Sequence, residues 1–369
     1  MSAARKAPTG MLLTTTAALL ILGVMAVYTA SSFASMQDYA DGGSYHYLVR
    51  HLVRLAAGLL CAAAAYAMPR RAWILAAPVL YGASLLMLVM TVIPDFPLAP
   101  AVKGSSRWIF LGPVSLMPAD LVRFSLIMFV ASLVTGSRLR PRSGRGFLVL
   151  CSLGLFPAGL MLLQPDFAGA AYLTVVMIVV AYLAEARLGH IALLLALLVA
   201  LGAAAVLSSE YRRERLMGFR NPEQNVEGTN WQSNQSIIAL GSGGLRGRGL
   251  GRGRQQMGYL PEPFSDFVLA VVGEELGFMG TSLITGLLLL LCLSGWRIAQ
   301  AADSAFGQIA AGGLTASIAM GALIHAGVVT RLLPPTGTPL PLISWGGTNV
   351  IVTLASIGFL ARISREVGR

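Results

Sequence analysis

The residues with the clearest capacity for chemistry lie between Tyr259 and Gly280, in YLPEPFSDFVLAVVGEELGFMG. There a loop carrying Glu262 and Asp266 runs into an apolar segment that contains Glu274 and Glu275. Carboxylates at such a boundary suit proton transfer, cation binding or support of a polar cavity. A charge at the centre of a bilayer costs about 2.5–3.5 kcal/mol on insertion scales, so ionisable groups on an apolar helix face a cavity and serve a function. If Asp266 opens a regular helix, Glu274 lies about 12 Å deeper and about 80° round, with Glu275 nearly opposite. Neither then reaches atoms reacting at Asp266, and both are expected to pair with buried polar groups and hold helices together.

Other groups point to an anionic ligand. Lys103 and Arg107 flank Ser105 and Ser106 and are followed by Trp108. This group suits a sugar diphosphate, by charge on the phosphates and ring stacking on the sugar, although a Trp there is also an ordinary interfacial anchor. In QPDF, Asp166 either caps the next helix at a tight turn or faces the same cavity as Asp266, and both can hold at once. GSGGLRGRGLGRG, Gly241 to Gly253, is a flexible loop or a backbone-and-arginine cradle for phosphate. It has no βαβ context, so its glycines do not mark a dinucleotide fold. His325 has no His or Cys neighbour in sequence and reads as a packing residue. Cys61, Cys151 and Cys292 lie far apart inside apolar runs and imply neither a metal site nor a disulfide framework.

The elements that must position these groups follow from composition. The chain has 369 residues, 56% hydrophobic and 12% charged, with a mean hydropathy of +0.71. That is too little polar residue to cover a soluble globule, and it predicts an all-α polytopic membrane protein. About ten apolar runs are long enough to span: 11–31, which reads as an uncleaved first span, then 50–68, 72–93, 118–135, 147–163, 167–184, 189–207, 267–293, 308–329 and 343–361. The short segments with Arg5 and Lys6, with Arg70 and Arg71, with Arg138, Arg140, Arg142 and Arg145, and with Arg362, Arg365 and Arg369 then fall on one side. By the positive-inside rule that side is the cytoplasm, with both termini in it. The whole chain, 1–369, is read as one transmembrane domain with cytoplasmic tails at 1–10 and 362–369. One large extracytoplasmic loop, 208–266, separates spans seven and eight. Its arginines, among them Arg212 and Arg215, call for an anionic partner outside the membrane. The net charge of +11 is explained by topology and such a ligand, and no nucleic-acid partner is expected.

Five segments in this order, VKGSSRWI, the QPD turn, YRRERLMGFRNP with NQSIIALGSGG, YLPEPFSDFVLAVVGEELG and LPPTGTPLPLISWGG, resemble the SEDS family of bacterial cell-wall polymerases. The ends look more like its FtsW branch than its RodA branch. The family usually has His and Thr where Phe264 and Ser265 stand, Asn for His325, Tyr for Trp345, and Q-P-S-E for Met117 to Asp120. The resemblance implies ten spans and a peptidoglycan glycosyltransferase that polymerises lipid II by inverting β-1,4 transfer, for division or cell shape. Asp266 matches the family's essential aspartate. The implied substrate-binding set is Lys103, Arg107, Trp108, Asp166, Arg212, Arg215 and Glu262, with Gln235, Ser242 and Ser344 inside the quoted motifs. Also implied are a divalent cation, Mg²⁺ or Mn²⁺, with Asp266 a possible ligand, and as partners the nascent glycan strand and a class B penicillin-binding protein, with other division or elongation proteins. The expected location is a bacterial inner membrane, with the active site facing the periplasm or exterior. A lipid II flippase and a non-catalytic scaffold for a penicillin-binding protein are the alternatives.

Overall fold

A computed structural model describes residues 9–38, 43–101, 105–112, 114–207 and 231–367. Lys103, Arg212 and Arg215 lie outside the described residues. In an apolar solvent every backbone N–H and C=O must be satisfied within the segment, so each apolar run becomes a helix. In order these are α1 (Thr9–Asp38), α2 (His46–Ala67), α3 (Arg70–Met90), α4 (Pro118–Thr135), α5 (Gly144–Leu163), α6 (Phe167–Leu183), α7 (Leu188–Leu207), α8 (Trp231–Gly243), α9 (Val268–Ala301), α10 (Ala305–Val329) and α11 (Gly347–Glu366). Among the described residues, eight helices have the length and apolar composition to cross a membrane, and Phe167–Leu183 and Leu188–Ala203 are shorter apolar helices.

Their starts follow local chemistry. Ser143, Asp166 and Ser304 each cap a helix by accepting the N–H three residues on, from Gly146, Gly169 and Gly307 at 3.1, 3.0 and 3.1 Å. Pro118 sits in the first turn of α4, where its missing N–H costs nothing. The α2–α11 seam is built on small residues, since a Cβ on Gly358 would collide with the Ala62 carbonyl and one on Gly58 with Leu354. At one end of the molecule a cavity of about 370 Å³ brings together Arg70 and Arg71 at the start of α3, Asp303 between α9 and α10, and Arg362 on α11. Thr9 at the start of α1 hydrogen-bonds Ser364 at that same end, at 2.5 Å.

Two features depart from the sequence expectation. A short antiparallel hairpin, β1 (Ile109–Leu111) and β2 (Val114–Leu116), interrupts the all-helical pattern. It is pinned by Phe110 N–H to Leu98 O at 2.8 Å and, beyond β2, by Met117 N–H to the Thr348 hydroxyl at 2.7 Å. The segment expected as one loop, 208–266, contains α8, which is held to the end of α10. The Ser236 hydroxyl donates to Val329 O at 2.8 Å, and Arg331 donates to the Asn234 amide oxygen at 3.0 Å.

Candidate active site

Asp266 lies in a turn just ahead of α9. Its N–H and that of Ser265 both donate to the Glu262 carbonyl, at 3.1 and 3.3 Å, and the Ser265 hydroxyl donates to the Glu262 carboxylate at 3.3 Å. The helix starts at Val268 rather than at Asp266, so the aspartate sits on a bend, half-buried and outside the regular ladder. The Pro-rich segment before α11 closes over it. Gly337, at φ +70°, brings its backbone so near that a Cβ there would lie 3.5 Å from the Asp266 carboxylate.

Beside Asp266 stands an aromatic cluster. Phe264 packs on Tyr47 of α2 at 4.6 Å between ring centroids and edge-on to Trp345 at 5.6 Å, while Tyr47 and Trp345 are 5.5 Å apart. The Trp345 N–H donates to the Phe264 carbonyl at 2.8 Å, which fixes the Pro-rich segment to the carboxylate turn. Phe264 and Trp345, two of the departures from the family pattern, are therefore neighbours that pack on each other. His325, a third departure, is fully buried with Nδ1 2.9 Å from the Thr338 carbonyl and anchors the same segment. The buried Ser344 hydroxyl accepts the Leu340 N–H at 2.8 Å and shapes the turn, so that oxygen is already occupied.

The other predicted residues are arranged differently. Asp166 caps α6 and lies 3.8 Å from an Arg107 guanidinium nitrogen, and a second Arg107 nitrogen donates to the Pro165 carbonyl at 2.8 Å. Arg107 is thus engaged by the QPD turn, and Gln164 of that turn donates to Thr91 at 2.5 Å. Trp108 is half-buried just before β1. Gln235 and Ser242 lie on α8, where the Ser242 hydroxyl donates to the Ala239 carbonyl at 3.0 Å.

Glu274 and Glu275 are buried, and their partner is the glycine-rich loop. At Gly277 (φ 69°, ψ −162°) α9 kinks, which frees backbone groups on both sides of the break. The loop takes them up. Arg248 and Gly249 N–H donate to the carbonyls of Glu274 and Glu275 at 3.0 and 2.9 Å, while the Phe278 and Met279 N–H donate to Gly244 and Leu245 at 2.9 and 3.2 Å. The Glu274 carboxylate accepts the N–H groups of Arg254 and Gln255 at 2.9 and 3.0 Å, and that of Glu275 accepts Gly251 N–H at 2.9 Å. The anion cradled by this part of the loop is internal.

Three charged residues inside apolar runs, Asp120, Arg123 and Arg54, carry no functional role in the sequence reading. Asp120 and Arg123 form a buried ion pair one turn apart on α4, with the Arg123 guanidinium carbon 4.1 Å from the centre of the Tyr172 ring. Arg54 of α2 lies over Trp345 at 4.2 Å. The signal available in both cases was a charged residue within an apolar run.

Comparisons with known proteins agree with this architecture. The family model covering FtsW, RodA and SpoVE, described as a cell cycle protein, matches residues 10–368. A probable peptidoglycan glycosyltransferase FtsW of Trichlorobacter lovleyi is 37% identical over 350 residues, 94% of this chain and 90% of that one. Its counterpart in Coxiella burnetii is 35% identical over 95% and 94% of the two chains. Stage V sporulation protein E of Bacillus subtilis is 33% identical over 99% of each. Among solved structures, rod shape determining protein RodA of Thermus thermophilus superposes with a TM-score of 0.70 at 26% identity, over 97% of both chains. A chain from a structure described as coordination of polymerization and crosslinking by a peptidoglycan synthase complex gives 0.78 at 27% identity, over 96% of this chain and 97% of that one.

Proposed function

The chain belongs to the FtsW, RodA and SpoVE family of cell cycle proteins and is a peptidoglycan glycosyltransferase, and from that premise we propose that Asp266 is the residue at which its transfer chemistry occurs. The substrate is lipid II. The 4-hydroxyl of an acceptor sugar attacks the anomeric carbon of the donor, a new C–O bond forms with inversion, and the bond to the lipid diphosphate breaks. The Asp266 carboxylate takes the hydroxyl proton, and a diphosphate leaving group needs no second carboxylic acid to protonate it. The observation that carries this reading is the setting of Asp266. It is an ionisable group on a bend at the mouth of a spanning helix, over which a Pro- and Gly-rich segment folds and beside which aromatic rings gather.

A divalent cation, Mg²⁺ or Mn²⁺, belongs to the proposal. Among the described residues no group of three or more carboxylate, imidazole or thiol ligands converges. Mg²⁺ is commonly held by one or two carboxylates together with substrate phosphates, and Asp266 with Glu262, one turn before it, would provide these. The ion would supply charge to the leaving diphosphate. Arginine clustering at the opposite end of the helices supports a site facing outward from a bacterial inner membrane. The likeness to a chain of a peptidoglycan synthase complex supports a class B penicillin-binding protein as partner.

Purified protein supplied with lipid II, a divalent cation and its partner is expected to make long glycan chains. Loss of a general base costs about 10²–10⁴ in rate, so Asp266→Asn should make almost none. Movement of lipid II across vesicles by a protein that forms no glycan would instead favour a flippase, and growth supported by Asp266→Asn in cells would favour a scaffold.

A further inference from the structure

Arg54 lies eight residues beyond the first residue of α2, about 12 Å along the helix. Arginine stays protonated in proteins, so this position carries a fixed positive charge among apolar helices. Among the described residues no carboxylate pairs with it. Its guanidinium lies over the Trp345 ring at 4.2 Å and against the first residue of α11, where a Cβ on Gly347 would stand 3.5 Å from the guanidinium carbon. Its Nη1 is buried and makes no hydrogen bond, and the indole Nε1 of Trp345 is likewise buried and unpartnered. No side chain caps α11, whose first N–H groups open beside the same two residues.

These are all donors, and the one full charge among them is positive. Buried polar groups are rarely left unmatched, and what would match this set is an anion with several acceptor oxygens. The cluster adjoins the carboxylate turn through Trp345, which is hydrogen-bonded to Phe264 and packed on it. Arg107, the cation that sequence spacing favours for diphosphate, is engaged by Asp166 and Pro165.

We propose that Arg54, with the Trp345 indole N–H and the start of α11, forms a phosphate-binding subsite for the lipid-linked diphosphate, joined through Trp345 to the turn that carries Asp266. The proposal rests on the glycosyltransferase reading for the identity of its ligand. Arg54 grips the substrate without exchanging a proton, so its loss acts on binding more than on turnover, whereas Asp266 governs turnover.

The test uses the full chain in nanodiscs, with farnesyl diphosphate, farnesyl phosphate and inorganic pyrophosphate as separate probes followed by calorimetry. Wild type should bind farnesyl diphosphate more tightly than the monophosphate. Arg54→Gln should weaken it about 10- to 100-fold, the range expected for losing a hydrogen bond from a charged group. Trp345→Phe keeps a ring under the guanidinium and removes only the N–H, and should weaken it less. Tight binding of inorganic pyrophosphate alone would assign the site to free anions and overturn a lipid-linked ligand. In polymerisation, Arg54→Gln should raise KM for lipid II with a smaller change in kcat. Wild-type affinity and KM in Arg54→Gln, with Asp266→Asn inactive, overturn this subsite and leave the glycosyltransferase reading standing. If wild type forms no glycan, that reading fails while probe binding still decides whether Arg54 holds phosphate. Should Arg54→Gln not fold, Trp345→Phe with unchanged affinity overturns the subsite by itself.

Discussion

Replacing Glu274 by alanine should release the glycine-rich loop from α9 without unfolding the helices. The Glu274 side chain is 1% exposed and accepts two backbone N–H groups, those of Arg254 and Gln255. Hydrogen bonds to a charged group contribute about 1.5–3 kcal/mol each, so the pair accounts for about 3–6 kcal/mol. The Arg248 contact at 3.4 Å adds under about 1 kcal/mol, because the Arg248 side chain is 38% exposed and screened by solvent. The loss is local, since the helices keep their own ladders and only the loop loses its partner. Amide hydrogen exchange followed by mass spectrometry reads it directly. Peptides spanning 248–256 should exchange at least about 100-fold faster, at a tenfold change per about 1.4 kcal/mol, while peptides from α2 and α11 stay unchanged. Trypsin should also cut sooner at the exposed Arg246, Arg252 and Arg254. Exchange over 248–256 at the wild-type rate would refute the assignment of Glu274 as the anchor of this loop.

The remaining expectations concern the polar groups beside the site. Asp166→Ala removes the cap of α6, about 0.5–2 kcal/mol, and the partly exposed Arg107 pair. It should lower the Tm in detergent while kcat for glycan synthesis stays near wild type, and a loss of kcat as deep as that of Asp266→Asn would place Asp166 in the chemistry instead. Arg123→Met leaves Asp120 as a buried carboxylate with its cation removed, which costs about 3–5 kcal/mol. Thermal unfolding should show a large drop that Asp120→Asn in the same chain partly restores, and an additive double variant would deny the coupling.

The apolar runs were legible because a spanning helix needs only length and the absence of charge, and each of the ten runs overlaps a helix of the structure, the last beginning four residues ahead of α11 in the Pro-rich segment. The helix α8 was not. WQSNQSIIALGSG is short and mixed in polarity, and what holds it is packing on residues remote in sequence, Gly273 under Leu240 and Arg331 against Asn234. Helical geometry was enough to separate Glu274 and Glu275 from Asp266. It did not reveal that a loop some twenty residues upstream returns to them, because that pairing depends on the kink at Gly277. Arg54 gives no topological signal, because the positive-inside rule weighs arginines in short loops and α2 carries this one within its apolar run. The significance of Phe264 and Trp345 emerged only when the fold set one ring edge-on against the other.

In the proposed transfer, the Asp266 carboxylate takes the proton of the attacking hydroxyl. The most direct test of this step is glycan synthesis by Asp266→Asn, assayed with lipid II, a divalent cation and the partner protein, next to the binding of lipid II by the same variant. Loss of polymer by about 10²-fold or more with lipid II binding retained is the predicted result. Polymer of wild-type length and yield from Asp266→Asn would contradict it.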